Sequence, residues 1–402
     1  MVELGGIFDS FSQNRIFEDK RVLQNNYSPE NIPHRTKQIE QIASILAPAL
    51  RGEKTSNLFV YGQTGTGKTL SVQYVRDELL KRAKSTESPN KLRIEYINCK
   101  LKQVADTEYR ILAELIKKLG GEVPQTGLPT NQVYGRFVEL LEKDPQLVIL
   151  ILDEIDQAVK KISDNFLYNL TRLNSELVKT QIGIVGISND LNFLDVLDPR
   201  VRSSLSEEEI VFAPYNAPQL KEILSKRAEK AFKKGVLEQE VIPKCAAYAA
   251  REHGDARRAL DLLRISGELA EREGAKKVTE AHVDIANEKM DRDKVLDIIQ
   301  GAPKQFQLVL YSIISLSESK KLDKIFTGDI YQFYQQYCTK TRTEILTQRR
   351  ISDLIAEADM LGLINATVIS KGRHGRTREI ISSIPPQILG KCKEILQESL
   401  GV

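Results

Sequence analysis

Residues Gly62–Thr69 form a glycine-rich segment of the form GxxxxGK[ST], in which x is any residue. The segment follows a short apolar run and opens a stretch with helical periodicity, which is the context that supports this motif. Backbone N–H groups in such a loop wrap phosphate oxygens, and the helix start adds partial positive charge. We predict a phosphate site, with Lys68 reaching the β- and γ-phosphates and Thr69 holding Mg²⁺. The residues expected around the phosphates are Gly62, Gly65, Thr66, Gly67, Lys68 and Thr69.

An acidic pair, Asp153-Glu154, ends the apolar run Leu147–Leu152. A carboxylate at the end of a buried strand can contact Mg²⁺ or its waters, and the adjacent one can polarise an attacking water. We therefore assign Asp153 to the metal and Glu154 to the water. The strand candidate Leu92–Asn98 lies between the phosphate loop and this run in the chain. It suggests the ATPase layout in which a strand is inserted between the two.

Four further residues carry side chains that could assist hydrolysis. Asn189 follows the next strand candidate and could orient the lytic water. Arg200 or Arg202 could reach the γ-phosphate of a neighbouring subunit, with a plain surface arginine as the alternative interpretation. Arg257 stands at a predicted helix start, from which it could fold back on the phosphates.

The elements that must position these residues alternate between short apolar runs and longer helical stretches. Runs that are apolar at consecutive positions favour parallel strands covered on both faces, and the alternation indicates an α/β domain. After Pro214 only helical periodicity remains, to about Asp293, which predicts a small all-α unit. The predicted strands are Asn57–Tyr61, Leu92–Asn98, Leu147–Leu152, Gln181–Ile187 and Glu208–Phe212, and the helix after the phosphate loop is Lys68–Ala83.

A third region begins after a glycine–proline linker. Helical spacing of apolar residues starts at Phe306, Ile330 and Ile351, and two strand candidates follow, Ala366–Ser370 and Thr377–Ser382. Three helices and a β-hairpin in this order are typical of a winged helix.

Charge and composition exclude several classes of protein. The longest apolar run has six residues, far below a membrane span of about 20, and the N-terminus has no signal-peptide pattern. Four widely spaced cysteines predict neither a zinc site nor a disulfide framework. Lys and Arg number 58 against 55 Asp and Glu, but residues 299–402 have fourteen basic against ten acidic residues. The modest positive excess therefore lies in the third region.

The third region also carries candidates for DNA contact. Thr347 can cap its third helix, which places Gln348, Arg349 and Arg350 in the first turn, the part that enters a major groove. Gln and Arg can pair with base edges. The tip of the hairpin adds cations and glycines suited to phosphates or a minor groove, and a solvated charged turn is the alternative. The cations assigned to this wing are Lys371, Arg373, Arg376 and Arg378.

Taken in this order, the motifs resemble those of the AAA+ ATPases. The similarity is closer to the archaeal origin-recognition/cell-division-control replication initiators, relatives of the large subunit of the eukaryotic origin recognition complex. It extends over essentially the whole chain. The segments that carry it are Ile32–Arg35 with Gln38, Leu152–Asp156, Leu197–Val201, Pro214–Ala217 and Gly254–Arg257.

The resemblance implies an AAA+ base domain at 1–213, an α-helical lid at 214–298 and a winged-helix domain at 299–402. It also implies a helical insert near 107–143 that touches DNA, although covering the sheet is an alternative role for Thr107–Leu119. Asn189 would be the first sensor and Arg257 the second. Eukaryotic relatives have arginine where Ser204 stands, so Arg200 or Arg202 would be the arginine finger. The expected nucleotide contacts are Ile32, Pro33, Arg35, Tyr215 and Arg227.

The function implied is that of an ATP-gated initiator. Such a protein binds double-stranded origin DNA, helps to recruit the replicative helicase, and uses ATP, ADP and Mg²⁺ with slow hydrolysis as a switch. Paralogous initiator subunits are further expected partners, and a cytoplasmic, nucleoid-associated location without membrane contact is expected. Two alternatives are a branch-migration motor and a signalling switch whose winged helix binds protein. The helical insert and the initiator-like motifs argue against the first, and the basic hairpin tip argues against the second.

Overall fold

The three-dimensional structure is a computed structural model of the 402-residue chain. It describes residues 16–25, 27–85, 91–100, 107–124, 127–205, 207–320, 325–370 and 376–401. The chain forms two compact units, Met1–Val283 and Asp284–Val402.

A five-stranded parallel sheet is the centre of the first unit. In space the strands follow the order β2-β3-β4-β1-β5. Their bounds are β1 (Leu58–Tyr61), β2 (Lys91–Asn98), β3 (Gln146–Asp153), β4 (Thr180–Ser188) and β5 (Glu208–Val211). All five predicted strands are therefore present, with ends that differ by one residue.

The strand inserted between the phosphate-loop strand β1 and the acidic strand β3 is β4. The strand that precedes β3 in the chain, β2, instead lies at the edge of the sheet and pairs with β3 alone. The inserted-strand layout is thus correct, but its expected link to Leu92–Asn98 is wrong. Parallel strands are joined by crossovers that can skip positions, so chain order does not give spatial order.

Within the residues described above, seven helices of the first unit surround the sheet, together with short 3₁₀ turns. They are α1 (Thr36–Leu46), α2 (Lys68–Ala83), α3 (Glu108–Lys118), α4 (Thr130–Leu141), α5 (Ile155–Lys161), α6 (Asn165–Arg172) and α7 (Pro199–Leu205). Helices α1 and α2 bury apolar residues against one face of the sheet, and α3 to α7 do so against the other.

The central strand β3 is buried along its whole length. Its side chains alternate between the two apolar clusters: Val148, Leu150 and Leu152 join one, and Leu147, Ile149 and Ile151 join the other. Coverage on both faces explains why this strand is apolar at consecutive positions.

The lid follows the sheet and contains α8 (Ala217–Ala231), α9 (Val241–Arg251) and α10 (Ala256–Arg272). Asn216 and Gln219 form a reciprocal capping box at the start of α8, which fixes the point where the chain leaves the sheet. The N-terminal residues pack on the lid: the Phe17 and Phe232 rings lie 4.7 Å apart, and the Ile16 N–H donates to Glu271 at 2.9 Å.

Helix α11 (Glu280–Gly301) begins in the first unit and continues into the second. In the described part of the second unit, the helices α12 (Lys304–Lys320), α13 (Thr327–Lys340) and α14 (Gln348–Met360) are followed by a hairpin of β7 (Ile364–Ser370) and β8 (Arg376–Ser382). The predicted winged helix is confirmed. Two elements were not predicted: the short strand β6 (Ile325–Phe326), which pairs with β8, and the last helix, α15 (Pro386–Leu400). Within the described residues, no helix is both long and apolar enough to cross a membrane.

Candidate functional site

Gly62–Thr69 makes the turn between β1 and α2. Gly65 and Gly67 have φ angles of +73° and +89°, in the left-handed region that favours glycine. A Cβ on Gly65 would lie 1.6 Å from an Asp255 carboxylate oxygen, and one on Gly67 would lie 2.9 Å from the Tyr215 hydroxyl oxygen. Glycine is required here both by the backbone conformation and by the close approach of two residues. Asp255 belongs to the lid, and Tyr215 lies in the segment between β5 and α8, which we call the hinge.

The Lys68 side chain is buried against this loop and is 4% exposed. Its Nζ donates hydrogen bonds of 2.7 Å to the carbonyl oxygens of Gly62 and Gln63. Burial lowers the pKa of Lys68 to about 8, although the Asp153 carboxylate opposes this effect. The loop carbonyls thus hold an ammonium group within reach of any phosphate that the loop cradles.

Three donors converge on the Asp153 carboxylate at the end of β3. The hydroxyls of Tyr96 and Thr69 donate to the same oxygen, Oδ2, at 2.7 and 2.9 Å. The Glu154 N–H donates to Oδ1 at 3.0 Å. Burial raises the pKa of Asp153, and the two hydroxyl donors oppose that rise. The predicted metal residues Thr69 and Asp153 are therefore in direct contact.

Glu154 connects β3 to α5 with a φ of +54°, an uncommon value for a residue other than glycine. Its side chain lines the same cavity as Lys68 and Thr69. One of its carboxylate oxygens lies 3.4 Å from Lys100 Nζ. A carboxylate in this position can accept a proton from a water beside the phosphate loop.

Asn189, just beyond β4, also lines the cavity. Asp156, which is 2% exposed on the first turn of α5, fixes this strand end. Its Oδ1 accepts hydrogen bonds from the Ser188 hydroxyl at 3.1 Å and from the Asn189 N–H at 3.4 Å. Asp156 thereby couples the position of Asn189 to the helix that follows the acidic pair.

The start of α10 rests directly on the phosphate loop. The Ala256 N–H donates to the Gly65 carbonyl at 3.2 Å. Asp255 caps the helix, and its Oδ1 accepts from the Arg257 N–H at 2.7 Å. Burial raises the pKa of Asp255, and its backbone donors oppose that rise. This cap holds Arg257 at the wall of the cavity.

Four of the five expected nucleotide contacts line the cavity, namely Ile32, Pro33, Tyr215 and Arg227. The fifth, Arg35, is 4% exposed and lies behind the cavity wall. It donates to the Thr66 carbonyl at 2.8 Å and to the Ala213 carbonyl at 2.6 Å. Its guanidinium carbon lies 3.9 Å from the centroid of the Tyr215 ring. Arg35 thus connects the phosphate loop to the hinge and supports Tyr215 from behind.

Arg227 reaches from the lid helix α8 to the N-terminal segment. It donates to the Val22 carbonyl at 2.9 Å, and its guanidinium carbon lies 4.5 Å from the Tyr27 ring centroid. Burial lowers the pKa of Arg227. Tyr27 lines the cavity as well, so an aromatic–arginine pair closes the side of the cavity away from the phosphate loop.

These groups share a cavity of about 440 Å³. The loop, Lys68 and Arg257 offer N–H groups and positive charge for phosphates, while Thr69 and Asp153 offer the oxygen ligands that Mg²⁺ prefers. Gly62 and Thr66 contribute their carbonyls, which accept from Lys68 and Arg35. The donor set fits a nucleoside triphosphate with Mg²⁺.

The two arginine-finger candidates, Arg200 and Arg202, are exposed residues of helix α7. Arg200 donates to both carboxylate oxygens of Asp198 at 3.0 Å, and its guanidinium carbon lies 5.3 Å from the Tyr168 ring centroid. Arg202 donates to Asp195 at 3.0 Å. Neither lines the cavity of its own chain. Their action on a neighbouring subunit stays a prediction.

In the second unit, the first turn of α14 presents the predicted base-reading residues. Thr347 is the N-cap and its hydroxyl accepts from the Arg350 N–H at 3.4 Å. Gln348, Arg349 and Arg350 are all exposed. The cap therefore holds three exposed polar side chains at the helix start.

Arg378 does not have the position expected of a wing cation. Its Nη1 donates to the Ser352 carbonyl of α14 at 2.7 Å. Side chains alternate along a strand, so Arg378 shares a face with Ile380, which is fully buried. This contact ties the hairpin to α14, and the assignment of Arg378 to DNA contact stays an untested prediction. Of the other wing residues, Lys371 and Arg373 lie outside the described residues. For Arg376, only its backbone, as the first residue of β8, is described.

Two basic residues near α14 were not among the residues predicted to contact DNA. Lys340 ends α13, and Arg342 follows it with a φ of +51°. Both are exposed. They extend the basic surface from the first turn of α14 along the preceding connection.

The two helices of the predicted insert, α3 and α4, cover the sheet. Both bury apolar residues in one cluster, with Ile111, Leu115 and Phe137 fully or almost fully buried. Helix α3 therefore covers the sheet, as in the alternative interpretation of Thr107–Leu119. DNA contact by the insert stays a prediction, and it concerns the connection between the helices.

Three protein-family profiles match consecutive parts of the chain. "AAA ATPase domain" matches residues 31–185, "Cdc6 AAA+ ATPase-type lid domain" matches 221–288, and "CDC6, C terminal winged helix domain" matches 297–391. The predicted fold, an AAA+ ATPase domain with a lid and a winged helix, is confirmed. The predicted boundaries near residues 213 and 298 stay predictions.

Among curated proteins, an ORC1-type DNA replication protein of Thermococcus kodakarensis is 51% identical over 96% of this chain and 93% of its own length. One from Pyrococcus abyssi is 52% identical over 92% of this chain and 88% of its own length. The chain belongs to the ORC1-type DNA replication proteins.

Among solved structures, that of the Aeropyrum pernix ORC1 protein in complex with DNA has a TM-score of 0.82 and 42% identity. The match covers 95% of this chain and 97% of that one. The predicted resemblance to replication initiators is therefore confirmed.

Several residues of the site were not predicted from the sequence. Asp255 carried a usable signal, because aspartate just before a helix is a preferred N-cap. Tyr96 carried a weaker one: β2 and β3 are parallel and end together at Asn98 and Asp153, so polar residues near the end of β2 lie close to the acidic pair. Asp156 belongs to the motif Leu152–Asp156, but its contacts with Ser188 and Asn189 depend on tertiary packing. Tyr27 carried no signal.

Proposed function

We propose that this chain is an ATP-dependent DNA replication initiator that binds duplex origin DNA. The observation that carries the proposal is the meeting of Lys68, Thr69, Asp153 and Arg257 at one cavity in an ORC1-type chain. The exposed residues on the first turn of α14 support the DNA-binding part, together with the 42% identity to a protein solved in complex with DNA.

For ATP hydrolysis, Thr69 and Asp153 would hold Mg²⁺, which when bound neutralises phosphate charge and aligns the β- and γ-phosphates. Glu154 would accept the proton of the attacking water, and Asn189 would orient that water. Arg257 would stabilise charge on the γ-phosphate from the lid.

The lid contact suggests what the hydrolysis is for. The α10 backbone donates to the Gly65 carbonyl, and Arg257 is two residues from Asp255, which caps that helix. A change in the phosphates therefore acts directly on the lid. We infer a slow ATPase in which ATP and ADP select different lid positions, so that hydrolysis works as a switch.

For DNA binding, Gln348, Arg349 and Arg350 would read bases in the major groove. Lys371, Arg373 and Arg376 would contact phosphates from the wing. The connection between α3 and α4 would make a second contact with the duplex. Recruitment of the replicative helicase, assembly with paralogous initiators and residence at the nucleoid follow from this role as part of the proposal.

A paired measurement tests the proposed function. The full chain is titrated with origin duplex and with random duplex in ATP and in ADP, and ATP turnover is measured with and without each DNA. We expect origin-biased binding that depends on the nucleotide, with little turnover on either DNA. Lys68→Ala is the variant for the nucleotide step, and the double variant Arg349→Ala/Arg350→Ala is the variant for the DNA step.

Two other results would favour the alternatives. Fast turnover that any DNA stimulates, without origin bias, indicates a motor of the branch-migration type. Nucleotide binding without affinity for any duplex indicates a switch whose winged helix binds protein.

A further inference from the structure

Tyr96 lies on the edge strand β2, and its side chain lines the nucleotide cavity. Its hydroxyl donates to Asp153 Oδ2 at 2.7 Å, the shortest of the three hydrogen bonds that this carboxylate accepts. Burial raises the pKa of Tyr96, with the Asp153 charge as the next cause.

Tyr96 and Thr69 donate to the same carboxylate oxygen from opposite parts of the fold, β2 and the start of α2. The Glu154 N–H occupies the other oxygen. The Asp153 carboxyl plane is thus fixed by three donors on three different elements. Because the Thr69 hydroxyl donates a hydrogen bond to Asp153, its lone pairs face away from Asp153 and toward the cavity.

We propose that Tyr96 is a positioning residue for the Mg²⁺ site. By holding Oδ2 in place, it keeps the Thr69 hydroxyl oriented with its lone pairs toward the cation. Outer-shell partners of this kind typically change metal affinity by about 10–100-fold. The inference rests on the proposed function, because it assumes that Thr69 and Asp153 hold Mg²⁺ beside a nucleotide.

The test compares wild type with Tyr96→Phe, which removes the hydroxyl and keeps the ring. Binding of a fluorescent ATP analogue to the full chain is followed while Mg²⁺ is titrated from zero, with EDTA at the starting point. We expect the Mg²⁺ concentration for half-maximal enhancement to rise by about tenfold, the lower end of the outer-shell range. Affinity for the analogue in EDTA should stay within about twofold of wild type, since no phosphate contact is removed.

Tyr61→Phe is the matched control. Tyr61 is the last residue of β1, a strand of the same sheet, and its hydroxyl donates to Glu209 at 3.3 Å, outside the cavity lining. Removing that hydroxyl should leave the Mg²⁺ titration unchanged. If Tyr96 has a purely structural role, Tyr96→Phe lowers the melting temperature without nucleotide but keeps the wild-type Mg²⁺ midpoint, and the inference is overturned.

A double variant separates a direct effect from one that acts through Asp153. In an Asp153→Ala background, Tyr96→Phe should cause no further change in the Mg²⁺ titration, because the group it positions is gone. A full additional shift in that background refutes the positioning role. If wild type itself shows nucleotide binding that does not respond to Mg²⁺, the proposed function fails before the role of Tyr96 is reached.

Discussion

Burial leaves the Lys68 ammonium much closer to losing its proton than an exposed lysine would be. With a folded-state pKa of about 8 against an ordinary value of 10.5, the folded chain binds fewer protons here than the unfolded chain between those pH values. The contribution of Lys68 to the free energy of unfolding therefore rises with pH across that window. Phosphate oxygens favour the charged form, so nucleotide binding must take up a proton above about pH 8.

We therefore expect ATP affinity of the wild type to fall as the pH rises above about 8, by up to about tenfold per pH unit. Lys68→Ala should bind ATP weakly at every pH and lack this dependence. Titration of a fluorescent ATP analogue between about pH 7 and pH 10 measures both effects. Lys81→Ala, on the exposed side of the same helix, should behave as wild type. A flat affinity in wild type contradicts the role of Lys68.

Glu154→Gln should bind ATP normally and hydrolyse it at least about 100-fold more slowly, since loss of a general base typically costs 10²–10⁴-fold. Asp153 keeps its three donors in this variant, so the contact with Thr69 is retained. Single-turnover hydrolysis, measured beside equilibrium binding, separates the two steps. Glu53→Gln, at an exposed site outside the cavity, is the control. Wild-type turnover in Glu154→Gln would show that the base lies elsewhere.

Among the elements of the second unit, the start of α14 and the connection before it carry arginines with different expected roles. Arg349 and Arg350 are expected to contact bases, and Arg342 is expected to contact phosphates. Arg349→Ala or Arg350→Ala should reduce the preference for origin over random duplex by roughly 1–3 kcal/mol, if each arginine pairs with a guanine. Arg342→Ala should weaken binding to every duplex alike and reduce the salt slope by about one unit. Titrations at several salt concentrations distinguish the two classes. Identical behaviour of the three variants would refute this division.

For Arg378 we expect an effect on stability and not on DNA binding, because its guanidinium donates to the Ser352 carbonyl within the second unit. Arg378→Ala should lower the stability of that unit by about 1.5–3 kcal/mol, the value of a hydrogen bond to a charged group, and toward the low end because the site is only partly buried. Thermal unfolding measures the loss. The salt slope of DNA binding should stay at the wild-type value. A lower slope with unchanged stability would instead support the assignment of Arg378 to DNA contact.

The sequence predicts local motifs better than it predicts how strands are arranged in the sheet. The phosphate loop, the acidic pair and the winged helix could be predicted because each is a local pattern with its own spacing. The position of β4 between β1 and β3 could not, because crossover connections decide it. The inward direction of Arg378 required the register of β8, in which a shift of one residue reverses every side chain.

For the whole molecule, the positive charge is small and unevenly divided. Residues 1–298 have forty-four basic against forty-five acidic residues, so only the C-terminal part has an excess. Non-specific attraction to phosphates is therefore weak, and a tight complex needs more than one contact region or a deformed duplex. The two candidates are the winged helix and the connection between α3 and α4.

We expect nuclease protection by the full chain to show two adjacent segments on origin DNA. The double variant Arg349→Ala/Arg350→Ala should lose one segment and keep the other at higher protein concentration. Random duplex at the same concentrations is the control and should show no defined edges. A single protected segment that disappears entirely in the variant would leave the insert without a role on DNA.

Residues 16–35 form a segment that is hydrogen-bonded to the rest of the first unit at both of its ends. Near residue 16 the backbone is bound to the lid through Glu271 and the Ala231 carbonyl, and at Arg35 the side chain is bound to the Thr66 carbonyl of the phosphate loop. The part between these anchors includes Tyr27, Ile32 and Pro33, which line the cavity. Opening of the lid away from the phosphate loop would therefore pull on this segment, and we expect the exchange of ADP for ATP to depend on how readily one of its two anchors is released.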